Sequence, residues 1–316
     1  VQDNIVDFLS NYKQVQIVGG AGTGKTYMAM KKIRREAYGM RKTMYLCKNP
    51  ELASFASNSL SDINAECVDF QTLMLRYSDE STIKSKGYFD AISEQRHEKY
   101  DAIVVDEAQD FSLDEALAIR LFLRDEHESI LYIFLDENQN LFDVTYESAF
   151  AIDLPPYILR YNIRNTGEIY RYATEDTGLG NETKANMLLG VVPEVRMTKN
   201  RIQTISTVSS ILNRLVQKEC VNTKSIVILS DVEYNTSVLA EETQLGQYKI
   251  IPSGKADGTK DILFRTVSEY KGLESDVVIY LTSPQHREID VRARKKEDYV
   301  AYTRARYYLY IVHQNN

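Results

Sequence analysis

The chain has 316 residues, 43% hydrophobic and 26% charged, with a formal net charge of -7; that size holds two domains, and that balance excludes a disordered chain or a basic nucleic-acid coat. Its three cysteines, Cys47, Cys67 and Cys220, lie far apart without C-x-x-C spacing, which argues against a zinc site or a disulfide framework and fits a reducing cytoplasm. No apolar run approaches the ~20 residues of a membrane span, no signal peptide is visible, and the opening Val in place of Met is what a piece of a longer polypeptide or an engineered chain would show.

VQDNIVDFL carries a short helical stripe at Ile5, Phe8 and Leu9, with Gln2 just ahead of it. VQIV at Val15 to Val18 then predicts a buried strand and YMAMKKIRREA a helix. Between them stand Gly19, Gly20, Ala21, Gly22, Thr23, Gly24, Lys25 and Thr26, which fit G-x-x-x-x-G-K-[ST] at every fixed position. Glycines let backbone N-H groups turn inward onto phosphate oxygens, the helix N-terminus adds partial positive charge, Lys25 reaches the β- and γ-phosphates, and the Thr26 hydroxyl holds Mg²⁺. A Gly-rich turn that binds nothing has no use for the Lys-Thr pair. Beside such a loop the Gln2 amide offers a donor and an acceptor to the edge of adenine.

KTMYLCKNP predicts a second strand ending at Lys48, Asn49 and Pro50, followed by an Ala-Ser-rich helix. ECVDFQTLM, Glu66 to Met74, predicts a third strand with a polar Gln71-Thr72 exit; in an open α/β sheet such exits face the ligand crevice. Arg76 to Lys99 is polar and aperiodic and reads as a small surface insertion with one short helix. Ala102 to Val105 then runs as a buried strand into Asp106 and Glu107. With the phosphate loop upstream, Asp106 is the expected Mg²⁺ partner and Glu107 the base that orients and deprotonates the attacking water. A helix is predicted from about Leu113 to Arg124, and a strand at Ile130 to Leu135 ends in Asp136, with Gln139 placed to bring an amide near the γ-phosphate.

Pro155 and Pro156 mark the linker, giving an ATP-binding domain over 1–150 and a second domain over 151–316, whose first helix opens at Asn165-Thr166-Gly167. Arg164, just before that helix, is a candidate to neutralise transition-state charge across the cleft. A helix near Ile205 to Glu219, a strand Ser225 to Ser230, a helix near Val232 to Glu242, the strand YKII, strands at Ile262 to Thr266 and Val277 to Leu281, a helix carrying Arg304 and a closing strand follow. Such alternation predicts an α/β protein of mainly parallel sheets covered on both faces. The four histidines form no recognisable metal cluster.

In their order, GGAGTGKT, FQTLM, VVDEAQDF, LDENQNLF, LRYNIRNT, TVSEYKGLESDVV and VAYTRA resemble the motif set of a superfamily 1 helicase of the UvrD/Rep type. DEAQDF, RNT and KGLESDVV are also similar to the helicase portions of bacterial nuclease-helicase proteins. The resemblance implies two RecA-like domains closing on one ATP. It implies that Gln2 reads adenine, Glu274 binds the ribose, Gln139 senses the γ-phosphate, and Arg164 and Arg304 are paired arginine fingers. It implies an ATP-dependent, 3′-to-5′ single-stranded DNA translocase or helicase with Asn49, Thr72, Thr266 and Ser268 among its strand contacts.

The departures are specific. Ile163 replaces the aromatic residue of the fourth motif, so adenine stacking is lost or passes to Tyr161. The chain has no Trp, and Phe142, Tyr146 or another of its 22 tyrosines must stack on the strand in its place if grip is retained. The stretches from Thr26 to Asp106 and from Arg164 to Thr266 are too short for the large inserted subdomains of full-sized relatives, which points to a minimal motor whose translocation is more secure than its unwinding. An ATP-driven switch or assembly subunit that clamps nucleic acid or regulates a partner nuclease is the alternative. RNA stands beside DNA because nothing in the sequence tests for a 2′-hydroxyl. DNA repair or antiphage defence would be natural settings.

Overall fold

A computed structural model describes residues 2–136, 150–180, 183–288 and 290–315. The chain divides into two compact units, Val1–Arg160 and Tyr161–Asn316.

The first unit is built on a six-stranded sheet in which every pairing is parallel. Its strands are β1 (Gln14–Gly19), β2 (Thr43–Cys47), β3 (Ala65–Asp69), β4 (Ala102–Val105), β5 (Ile130–Leu135) and β6 (Tyr157–Leu159), in the order β3-β2-β4-β5-β1-β6. β2, β4 and β5 are buried at every position, which is why they read as continuous apolar runs without alternation. Met44, Leu46, Ile103, Val105, Leu131 and Ile133 form the core on one face. The phosphate-loop helix α2 (Lys25–Tyr38) packs on the sheet with Met28, Ala29 and Ile33 buried. α1 (Gln2–Leu9) packs on α2, and α3 (Pro50–Ser59) joins β2 to β3.

Three expectations for this unit need correction. The third strand stops at Asp69, whose carboxylate accepts the Thr72 N-H at 3.0 Å and caps the short helix α4 (Phe70–Leu75), so Gln71 and Thr72 lie on a helix. The stretch 76–99 holds two helices, α5 (Glu80–Lys86) and α6 (Tyr88–Ser93), and supplies Ile83, Ala91 and Ile92 to the core; its few apolar residues were too sparse to show periodicity. Helix α7 (Leu113–Arg120) begins at a Ser112/Glu115 capping box but ends early, because Phe122 and Arg124 bond to the backbone of Tyr100 instead.

The prolines at 155 and 156 precede a strand of the first sheet: β6 pairs with β1 through Ile17, Val18 and Gly19. The second unit begins beyond it, with α8 (Gly167–Thr177), β7 (Glu194–Thr198), α9 (Arg201–Asn213) continued by a π-helical turn to Lys218, β8 (Ile226–Ser230), β9 (Gln244–Leu245), β10 (Tyr248–Ile251), β11 (Asp261–Thr266), β12 (Ser275–Thr282), α10 (Val291–Tyr302) and β13 (Ala305–Gln314). Its seven strands run in the order β7-β13-β12-β8-β11-β10-β9, parallel except for the β9-β10 pair. The helix expected at 232–242 is absent. Ser237 donates its hydroxyl to the Tyr234 carbonyl at 2.8 Å and accepts the Leu239 N-H at 3.1 Å, and these local bonds leave only a 3-10 turn, Tyr234–Thr236. Arg304 lies past the end of α10, at the junction with β13. Among the described residues no helix is long and apolar enough to cross a membrane.

Candidate nucleotide site

The exits of β1, β4 and β5 carry the phosphate loop, the Asp106-Glu107 pair and Asp136. Gly24 caps α2 at φ 88°, a left-handed conformation that strains any residue with a side chain. A Cβ at Gly19 would lie 2.5 Å from Thr23 Oγ1 and 2.8 Å from Leu159 Cβ, so the close approach of β6 also requires glycine. The Lys25 ammonium is buried. It donates to the Gly19 and Gly20 carbonyls at 2.7 and 3.1 Å and pairs with Asp136 Oδ2 at 3.1 Å.

Asp106 is fully buried. Its Oδ1 accepts the Glu107 N-H at 3.0 Å and its Oδ2 accepts the Tyr45 hydroxyl at 2.7 Å. Burial and then the neighbouring Glu107 charge push its carboxyl up from the usual carboxylate range, against the hydrogen bonds of Thr26 and Tyr45 and the charge of Lys25. Burial and the Asp106 charge hold the Tyr45 hydroxyl well above the usual phenol range, so it is a donor at neutral pH. The same causes raise the Cys47 thiol and leave it protonated.

Glu107 stands at φ 53°, ψ 44°, a strained position for a side chain of its size and one met at functional sites. Its carboxylate accepts from Gln109 Nε2, while Gln109 Oε1 accepts the Asp136 N-H at 2.9 Å. Gln109 thus ties the exit of β4 to that of β5. Tyr45, Gln109 and the Lys25-Asp136 pairing were missed from sequence. Their signals were a hydroxyl inside an apolar strand and a polar residue two places after Glu107.

Gln2 opens α1, but its side chain, together with Gln139, Phe142 and Tyr146, lies outside the described residues. Asn49 is the N-cap of α3, accepting from Glu51 and Leu52, and Thr72 is exposed in the first turn of α4.

In the second unit the structure brings Arg164, Glu274 and Arg304 together. The Arg164 guanidinium pairs with Glu274, and Arg306 Nε lies 3.7 Å from the same carboxylate. Arg304 is 1% exposed and donates to the carbonyls of Val300 and Leu273 at 3.1 and 3.3 Å. Asn162 and Asn165 fix this corner, the latter donating to the Thr303 and Ala305 carbonyls. Thr266 makes reciprocal hydrogen bonds with Glu269, and Ser268 is exposed. Tyr161 is exposed, with the Lys184 ammonium 5.5 Å from its ring centre.

Thr26 and Asp106 form a hard oxygen donor set. Among the described residues there is no group of three or more His, Cys, Asp or Glu able to hold a metal. The Thr26 hydroxyl and the Asp106 carboxylate, joined by a hydrogen bond, are oxygen donors of the hard kind that Mg²⁺ takes.

Residues 2–144 match a family model described as an AAA domain. No curated protein matches. Among solved structures, the helicase of PRRSV is similar with a TM-score of 0.53 at 11% identity, over 98% of this chain and 54% of that one. Arterivirus nonstructural protein 10, a helicase, aligns at 14% identity and a TM-score of 0.48 over 98% of this chain and 61% of that one. Its complex with DNA gives 14% and 0.47 over 95% and 60%. This chain therefore spans less than two thirds of the length of those helicases. At such identities the likeness is one of fold: α/β, with largely parallel helix-covered sheets similar to the RecA-like domains of the PRRSV helicase.

Proposed function

We propose that this chain is an ATPase of the superfamily 1 helicase kind, a minimal motor that moves along single-stranded DNA. The observation that carries the reading is the convergence of Lys25, Thr26, Asp106, Glu107 and Asp136 at the exits of three strands around one helix N-terminus. The loop N-H groups and Lys25 bind the phosphates, Lys25 exchanging its carbonyl partners for phosphate oxygens. Thr26 and Asp106 would hold Mg²⁺, which when bound neutralises charge on the phosphates. Glu107, oriented by Gln109, takes a proton from water as its oxygen bonds to the γ-phosphorus and the bond to the β-phosphate oxygen breaks. Arg164 and Arg304 are assigned as the cations that complete the site, Glu274 as the ribose ligand, Gln2 as the adenine reader and Gln139 as the γ-phosphate sensor.

The polarity, 3′-to-5′, rests on the motif resemblance, as does the link to a nuclease domain or subunit. The nucleic-acid substrate rests on that same motif resemblance. Steady-state ATP hydrolysis with single-stranded DNA, single-stranded RNA or duplex tests the reading, with Glu107→Gln as blank. Stimulation of about tenfold or more by single-stranded DNA, lost in the variant, is expected. Slow hydrolysis indifferent to every nucleic acid would overturn the motor and leave a partner-dependent switch.

A further inference from the structure

The sheet of the first unit buries a tyrosine hydroxyl against the carboxylate on which metal binding depends. Tyr45 sits mid-strand on β2, opposite Val104 of β4 and Cys67 of β3, and is 0% exposed. Side chains at registered positions of a parallel pair share a face, and Val104 and Asp106 share one by the two-residue period of a strand. The Tyr45 ring therefore lies on the Asp106 side of the sheet. It leans along the strand so that its hydroxyl reaches Asp106 Oδ2 at 2.7 Å. The backbone is locked beside it, the Asp106 N-H donating to the Leu46 carbonyl at 2.9 Å. Glu107 N-H holds the other oxygen at 3.0 Å. A carboxylate held at both oxygens from two directions has lost its rotation about the bond to Cβ.

We infer that Tyr45 is a positioning residue: its hydroxyl, given by the neighbouring strand, sets the orientation in which Asp106 meets a divalent cation beside Thr26. The inference rests on the reading of Thr26 and Asp106 as the Mg²⁺ ligands of an ATPase. Nothing else in the apolar run MYLC calls for a polar atom, and a buried hydroxyl is stabilising only with a partner. Hydrogen-bond partners that orient a ligating group typically contribute about 10- to 100-fold in metal affinity.

Tyr132 is a matched control. It is a buried tyrosine of β5 in the same sheet, but its hydroxyl donates to the carbonyls of Leu9 and Tyr12, away from Asp106. The experiment uses the full chain with Tyr45→Phe and Tyr132→Phe, and Tyr45→Met as a second way to remove the donor should the first variant misfold. Three quantities are measured: binding of a fluorescent ADP in chelator, Mn²⁺ binding to the ADP complex by electron paramagnetic resonance, and the Mg²⁺ concentration giving half-maximal hydrolysis.

For Tyr45→Phe, Mn²⁺ affinity is expected to fall and the Mg²⁺ requirement to rise, each by about tenfold or more, with chelator-phase ADP binding unchanged. Tyr132→Phe is expected to lower only thermal stability. Metal requirements equal to wild type in the folded Tyr45 variants would overturn the positioning role while leaving the ATPase reading intact. A wild-type chain whose nucleotide binding ignores Mn²⁺ and Mg²⁺ would overturn both.

Discussion

Glu107 and Gln109 show how much of this site is decided within one turn of backbone. Glu107→Gln keeps the shape of the site but removes the base, so hydrolysis is expected to fall by about 10²- to 10⁴-fold while ATP still binds, read by single-turnover hydrolysis beside equilibrium binding. Gln109→Ala releases the Glu107 carboxylate from one of its partners and unties the Asp136 N-H. Hydrolysis is expected to drop about 10- to 100-fold in kcat at near-constant nucleotide Kd, because misplacement of a catalytic group costs rate before it costs binding. Gly24→Ala acts on the backbone: at φ 88° a Cβ is strained, and chemical denaturation should show a loss of about 1 kcal/mol or more.

At the scale of elements, two side-chain tethers fix helices to their neighbours. Asp114 of α7 accepts the Tyr88 N-H at 2.7 Å and the Phe89 N-H at 3.2 Å, so a side chain from another helix satisfies the start of α6. Asp114→Ala is expected to cost about 0.5 to 2 kcal/mol, seen as faster amide exchange over 88–93. In the second unit His286 is buried between α10 and the exits of β8 and β12. Its Nε2 is 2.8 Å from Asp298 Oδ1, and its Nδ1 is 3.6 Å from Asp231 and 3.7 Å from Glu297. Burial works against the charged ring, but the Asp298 hydrogen bond and the charges of Asp298, Asp231 and Glu297 prevail and raise it. Burial raises the Glu297 carboxyl to about 7. Both folded values lie above the unfolded ones, so the stability they add is full at low pH and is lost as pH rises through them. From about pH 4.5 to about pH 8, Glu297 alone is expected to cost the unit on the order of 3 kcal/mol, and amide exchange in α10 should flatten with pH in Glu297→Gln.

Across the whole molecule, among the described residues, one buried apolar cluster forms around Ile103 and Leu131 in the first unit and another around Ile228 and Ile279 in the second. Calorimetry should resolve two transitions, since each unit buries its own apolar residues. A non-hydrolysable ATP analogue at about 100 times its Kd, with Mg²⁺, is expected to raise stability by about 2.7 kcal/mol in the transition that contains the phosphate loop.

The strands that carry the site were legible from residues alone, because 102–105 and 130–135 are buried on both faces and therefore continuously apolar. The loop from Gly19 to Thr26 was legible because its chemistry needs glycine, lysine and threonine at set distances along one short segment. Tyr45 could not be found that way: its partner is 61 residues distant and adjacent only once β2 lies beside β4. The Gln109 bridge, the Lys25-Asp136 pair and the grouping of His286 with Asp231, Glu297 and Asp298 are likewise products of strand order. Local pattern determines which residues are apolar, glycine or charged at a strand end. Which polar atoms meet in the interior depends on sheet register, a non-local quantity that only the tertiary structure decided.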